Sequence, residues 1–125
     1  MRIKGLDHLV LRVADTDRSA QFYAALLGCQ VERRVAEIGL VQLRAGDSLI
    51  DLLPADLPPA RPGNLDHFCL LLDPFDVGLI RQRCAQLGIS CEAPQRRYGA
   101  TGYGPSIYLY DPDGNKLELK GPVTL

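Results

Sequence analysis

Apolar and polar positions alternate with period two along Leu6 to Val13, with Leu9, Leu11 and Val13 on one side and His8, Val10 and Arg12 on the other, which predicts a strand with two different environments. Asp15-Thr16-Asp17 then offers N-capping carboxylates, and Ala20, Tyr23, Ala24 and Leu27 recur at helical spacing before Gly28, a natural C-cap. Three short strands are predicted next, over Gln30 to Val35, Ile38 to Arg44 and Ser48 to Leu53, with Ala45-Gly46-Asp47-Ser48 as a hairpin turn. The Pro-rich run 54–63 reads as a linker. The same order then returns. A strand over Leu65 to Leu72 is followed by a helix over Asp76 to Leu87 with Val77, Ile80, Cys84 and Leu87 inward and Gly88 at its end. Strands over Ile89 to Glu92, Ser106 to Tyr110 and Lys116 to Lys120 complete it, with Asp111-Pro112-Asp113-Gly114-Asn115 as the last tight turn.

The two halves are copies of one plan. Leu6-Asp7-His8-Leu9 reappears as Leu65-Asp66-His67-Phe68; Gly28 follows His8 by 20 positions and Gly88 follows His67 by 21. The fold class is therefore α+β, built from tandem βαβββ modules. A chain of 125 residues holds one compact domain rather than two independent ones, with module one at 3–54, a linker at 55–63 and module two at 64–121.

Composition narrows the function. With a net charge of -1 and its arginines in scattered pairs, the chain lacks the basic field that gathers nucleic acid or anionic lipid. The start shows no secretory h-region, and no apolar run approaches the roughly 20 residues that cross a bilayer, so a cytoplasmic protein is expected. Cys29, Cys69, Cys84 and Cys91 have neither C-x-x-C spacing nor the density of a disulfide scaffold, and buried, reduced thiols are expected. Cys69 stands apart because, two residues beyond His67, it shares that residue's face on a strand.

The chain's two histidines occupy equivalent points of the two halves. Each half also ends in a strand with one carboxylate in an aliphatic frame: Asp51 in Leu49-Ile50-Asp51-Leu52-Leu53 and Glu118 in Lys116-Leu117-Glu118-Leu119-Lys120. An inward carboxylate needs a partner. Two imidazoles with one or two carboxylates suit a divalent Mn, Fe, Co, Ni or Zn ion, so His8, His67, Glu118 and Asp51 are the candidate metal ligands. The alternatives are imidazoles hydrogen-bonded to backbone, a Glu118 exposed beside Lys116 and Lys120, and an Asp51 hydrogen-bonded to a neighbouring strand.

These residues resemble the vicinal-oxygen-chelate superfamily, which includes glyoxalase I, fosfomycin-resistance thiol transferases, bleomycin-resistance proteins, extradiol dioxygenases and methylmalonyl-CoA epimerase. The resemblance is carried by positions 6–13, by Phe22-Tyr23-Ala24-Ala25-Leu26-Leu27-Gly28, by Asp66-His67 and by 106–119, and so spans essentially the whole chain. It implies two modules whose sheets form a cup, a partly open mixed barrel, around one divalent ion per site, with His8, His67 and Glu118 at the ligand positions. Asp51 stands where the glyoxalase pattern has a Glu. A homodimer with sites shared between subunits is implied, as is a small-molecule substrate, with a glutathione or other thiol adduct among the candidates. The segment 97–106 resembles the substrate-covering loop of fosfomycin-type members, and Arg97, Tyr98, Tyr103 and Tyr108 become candidate substrate contacts, with Arg96 beside them.

The leading expectation is a glyoxalase-type lyase or isomerase: the metal stabilises an oxyanion or enediolate, and a carboxylate, Asp51 or Glu118, moves a proton beside a carbonyl. Epoxide opening by a thiol needs only His8, His67 and Glu118. Extradiol cleavage is disfavoured because it uses a further histidine. Non-enzymatic ligand sequestration goes with loss of the His and Glu set and with aromatic walls, whereas this chain keeps the set and has no Trp.

Overall fold

A computed structural model describes residues 1–3, 5–55, 65 and 67–124. The linker is thus outside the described residues from position 56 onward, and so is Asp66, the repeat of Asp7. The chain divides into two compact units, Met1–Pro62 and Gly63–Leu125.

The first unit runs β1 (His8–Val13), α1 (Thr16–Leu27), β2 (Gln30–Val35), a single 3-10 turn (Ala36–Ile38), β3 (Leu40–Ala45) and β4 (Ser48–Pro54). The second runs β5 (Phe68–Leu71), α2 (Val77–Leu87), β6 (Gln95–Gly99), β7 (Gly102–Tyr110) and β8 (Lys116–Lys120). Each unit is a four-stranded mixed sheet, ordered β1-β4-β3-β2 and β5-β8-β7-β6. The described strands form these two sheets and no closed barrel. The first strand of each unit pairs in parallel with the last, and the other pairs are antiparallel. A parallel pair needs a long crossover, and the helix and two strands in between supply it.

One face of each sheet is apolar. In unit one Leu11, Val13, Val41, Leu43, Ile50 and Leu52 are buried, with α1 packed on β3 and β4. In unit two Phe68, Ile107, Leu109, Leu117 and Leu119 are buried, as are Ile80 and Cys84 of α2. The helix caps are as the sequence predicts: Asp15 accepts from the N–H groups of Asp17 and Arg18, Asp76 from that of Leu79, and Gly28 and Gly88 take left-handed conformations.

Three expectations are corrected. The buried stripe of α1 is Ser19, Ala20, Phe22, Tyr23 and Leu26, not Ala24 and Leu27, because both aromatic rings turn inward and fix the helix rotation. Residues 89–92 form no strand; the edge strand is instead β6, which runs into the 97–106 segment that resembles a substrate-covering loop. That segment is a hairpin closed by Gly99 opposite Gly102, where φ is +112° and glycine is required. The cysteines are free, as expected, but only Cys29 and Cys84 are buried; Cys91 is half-buried and Cys69 exposed.

The turn between β7 and β8 hangs on Asp111, whose carboxylate accepts from the N–H groups of Asp113 and Asn115 and from the Asn115 side-chain amide at 2.8–2.9 Å. Asp111→Ala strands three donors at once. The expected loss is about 2 kcal/mol of unfolding free energy, read as a lowered urea midpoint at unchanged m-value.

Candidate functional site

The register of the parallel pairs decides which side chains meet. In unit two Cys69 lies opposite Glu118, so His67, two residues before Cys69, projects from the same face. The His67 Nε2 atom stands 3.4 Å from Glu118 Oε1, and the Cys69 thiol donates to Glu118 Oε2 at 3.5 Å. Glu118 is buried on an interior strand at 6% exposure, not an exposed edge residue. Burial, then the charge of Glu118 and the hydrogen bond to it, push the Cys69 thiol up to about 12, against the opposing charge of Lys120. At neutral pH Cys69 is a thiol, not a thiolate nucleophile.

Unit one repeats the geometry with different side chains. Val10 lies opposite Asp51, and His8 precedes Val10 by two, so imidazole and carboxylate again share a face. Asp51 is 5% exposed; its Oδ2 accepts from Gln42 Nε2 at 3.1 Å, and Gln42 Oε1 accepts from Arg33 Nε at 2.9 Å. Its Oδ1 is buried with no hydrogen-bond partner among the described residues. The neighbouring-strand hydrogen bond anticipated for Asp51 therefore forms, and it engages one oxygen only. The His8 Nδ1 atom is 2.7 Å from Asp7 Oδ2. That hydrogen bond raises the pKa of the imidazole; burial opposes it, and the charges of Asp51 and Asp7 add to the rise.

Among the described residues, no three His, Cys, Asp or Glu side chains are grouped closely enough to hold a metal ion. Each unit brings one imidazole and one carboxylate to the same face of its sheet.

Of the four candidate substrate contacts, two are on the Glu118 face. Tyr108 is the register partner of Glu118 on β7, and its ring meets that of His67 edge-on at 5.4 Å between centroids. The guanidinium of Arg97 covers the Tyr108 ring at 4.0 Å, and Lys116 Nζ approaches it at 4.2 Å. Tyr98 and Tyr103 pair with each other on the opposite face of the hairpin, rings 5.1 Å apart, with Arg96 over Tyr103 at 4.2 Å. The structure thus separates this exposed cluster from Arg97 and Tyr108.

Four participants escaped the sequence reading. Gln42 and Arg33 reveal themselves only through register. Glu92 is a third: it fills the edge of β7 where β6 runs out, its Oε1 accepting from the Tyr108 N–H at 2.8 Å and from Arg97 Nη1 at 3.0 Å. The fourth is Lys120. The alternative with an exposed Glu118 puts it outside beside Lys116, yet it is 2% exposed and its Nζ is buried without a hydrogen-bond partner among the described residues. Face parity with Glu118 was the available signal; its burial was not legible.

The family model described as Glyoxalase/Bleomycin resistance protein/Dioxygenase superfamily matches residues 5–119. The chain belongs to this superfamily. Virulence protein STM3117 of Salmonella typhimurium is 33% identical to it over 95% of this chain and 85% of the relative, and the crystal structure of that protein superposes with a TM-score of 0.79 over 98% of this chain and 100% of the other. Glutathione transferase FosA of Serratia marcescens is 30% identical over 94% of this chain and 80% of its own. An integron cassette protein from V. Pseudocholerae is 29% identical with a TM-score of 0.80, covering 99% of this chain and 98% of the other. Superfamily and fold agree with what the repeated Asp-His motif and the 106–119 segment imply.

Glu92 yields a pH signature. Burial is the largest single influence and opposes its ionisation, but the Tyr108 N–H, Arg97 and Lys116 together outweigh it and hold the carboxyl below the usual range. A depressed folded value adds stability above the unfolded-state pKa of about 4.3, and that stability disappears as pH falls through the folded value. The wild type should exceed Glu92→Gln in urea midpoint by a constant margin above about pH 5.5, with the margin shrinking toward pH 3. A margin independent of pH would contradict the assignment.

Proposed function

We propose that the protein is a divalent-metal-dependent enzyme of glyoxalase type, a lyase or isomerase acting on a small substrate that offers oxygens to the ion. The observation that carries this reading is the 3.4 Å separation of His67 Nε2 and Glu118 Oε1. Two donors each about 2.1 Å from a tetrahedral ion stand about 3.4 Å apart, so this pair already has the spacing of two ligands to one metal. His8 supplies the third donor. Its Nδ1 is engaged by Asp7, which fixes the ring and leaves Nε2 for coordination. Two imidazoles and one carboxylate suit Mn, Fe, Co, Ni or Zn, one ion per site. Because the donors come from both units, one chain or two copies in a homodimer provide the set.

A divalent ion held there polarises the oxygens of the substrate as a Lewis acid. The chain does the rest. Asp51 has one oxygen tied to Gln42 and the other without a partner among the described residues, which suits a base that takes a proton from the carbon beside a carbonyl. Gln42, itself held by Arg33, keeps that carboxylate oriented. Arg97 and Tyr108 contact the substrate from the Glu118 face, whereas Tyr98 and Tyr103, on the other face, do not.

The likeness to a glutathione transferase favours one second reading, thiol opening of an epoxide, which needs the three metal ligands and no base. Ring cleavage of the extradiol type lacks its further histidine, since both are assigned to the metal.

Metal analysis after dialysis against Mn(II) should give about one ion per chain for the wild type and at least about 100-fold weaker binding for His67→Ala and Glu118→Gln. Equal absence of metal from wild type and variants would defeat the metal reading and favour ligand sequestration. Asp51→Asn should retain Mn(II) while turnover of the methylglyoxal–glutathione adduct falls about 100-fold or more. If the adduct is inert and fosfomycin is consumed with glutathione, the second reading replaces the first.

A further inference from the structure

The inward carboxylates of β4 and β8 each have one oxygen under restraint, and the restraint comes from opposite neighbours. In unit one Gln42, on β3, donates to Asp51 Oδ2 at 3.1 Å, while Val10, the β1 residue in register with Asp51, has no side-chain donor to offer. In unit two the roles change sides. Tyr108, on β7, turns its ring to His67, and the donor is Cys69, the β5 residue in register with Glu118, whose thiol meets Oε2 at 3.5 Å. The Leu70 carbonyl lies 4.0 Å from the same sulfur, so the carboxylate is the nearer acceptor. Among the described residues no side chain approaches the Glu118 carboxylate within bonding distance except Cys69 and the His67 imidazole at 3.4 Å; Lys120, two positions on, does not reach it. The proton of this contact stays on sulfur, because a thiolate would set one negative charge against another at 3.5 Å. The last torsion of a glutamate side chain is broad, and a hydrogen bond to one oxygen fixes it. With Oε2 held by Cys69, Oε1 is kept on the His67 side.

We propose that Cys69 is a positioning residue of the metal centre: its thiol holds Glu118 Oε2, so that Glu118 Oε1 and His67 Nε2 are presented together to a divalent ion. This inference rests on the metal reading given above. Cys69 is neither a ligand nor a nucleophile in it. A thiol is a weak donor, so it orients the carboxylate while leaving most of the negative charge for the ion, where a stronger donor would compete for it. The pairing is particular to unit two, since Val10 stands at the corresponding point of unit one.

The test uses the whole chain, with Cys69→Ala, which removes the donor, beside Cys69→Ser, which restores one. Mn(II) titrations followed by paramagnetic resonance should show binding at least about tenfold weaker in Cys69→Ala and within about threefold of wild type in Cys69→Ser. Equal binding by wild type and Cys69→Ala, or binding by Cys69→Ser as weak as that of Cys69→Ala, would overturn the positioning role. So would a thiolate-to-metal charge-transfer band in the Co(II)-loaded wild type that vanishes in Cys69→Ser, since Cys69 would then be a ligand. A second readout needs no metal and no Cys69→Ala. The infrared S–H stretching band of Cys69, assigned by its loss in Cys69→Ser, should lie at lower wavenumber in wild type than in Glu118→Ala; a band that does not move means the thiol makes no hydrogen bond to Glu118 and ends the proposal. Failure of the wild type itself to bind Mn(II) defeats the metal reading and, with it, any role of Cys69 toward an ion, whereas wild-type binding that Cys69→Ala retains defeats Cys69 alone.

Discussion

The parallel pairing of the first and last strand within each unit is the constraint on which the rest depends. It sets Val10 against Asp51 and Cys69 against Glu118, and period two then carries His8 and His67 to the faces of those carboxylates. A slip of one residue would send imidazole and carboxylate to opposite faces. What forbids the slip is not the polar chemistry but the other face, where Ile50 and Leu52, or Leu117 and Leu119, are fully or nearly fully buried. Burying four such aliphatic chains is worth on the order of 6–12 kcal/mol, far more than any contact among the site residues. The hydrophobic alternation thus positions the imidazoles and carboxylates, and those polar side chains are free to be selected for reactivity.

On this common frame the units have diverged. Glu118 has a methylene more than Asp51 and reaches both His67 and the Cys69 thiol across the strand pair. Asp51 stops nearer the backbone, where the β3 residue opposite it, Gln42, claims one oxygen. The equivalent of Gln42 in unit two is Tyr108, which cannot offer two amide protons and instead presents a ring to His67, Arg97 and Lys116. One unit thus brings its carboxylate into contact with an imidazole and a thiol. The other keeps a buried carboxylate with an open lone pair.

Much of this was legible in the sequence. The duplicated Asp-His motif, Asp and Gly at the helix ends, and the alternation of 6–13 and 116–120 define both units, because each feature is local and physically forced. Where the reading failed, the deciding interaction was nonlocal. Gln95-Arg96-Arg97-Tyr98-Gly99 has no apolar period, since an edge strand is held by backbone pairing to β7 and needs no buried face; the segment then resembles a covering loop when it forms a hairpin. The rotation of α1 follows from which sheet positions admit Phe22 and Tyr23, which no single-helix pattern contains. Parity placed Lys120 with Glu118 correctly, but whether a lysine at a strand end reaches solvent depends on Gly99 and Gly104, sixteen residues or more upstream.

The net charge of -1 argues against polyanionic partners, and the structure shows how the local charges are engaged. On the Glu118 face three cations, Arg97, Lys116 and Lys120, accompany two carboxylates, Glu92 and Glu118. Arg97 is neutralised by Glu92 at 3.0 Å and tied to Ser106, and Lys116 is spread over the Tyr108 ring. Both are held by polar or aromatic neighbours and present no stripe along which a phosphate backbone could run. Lys120 is desolvated, so its field is less screened than that of any surface lysine. A chain can therefore be nearly neutral overall and still hold one enclosed cationic point.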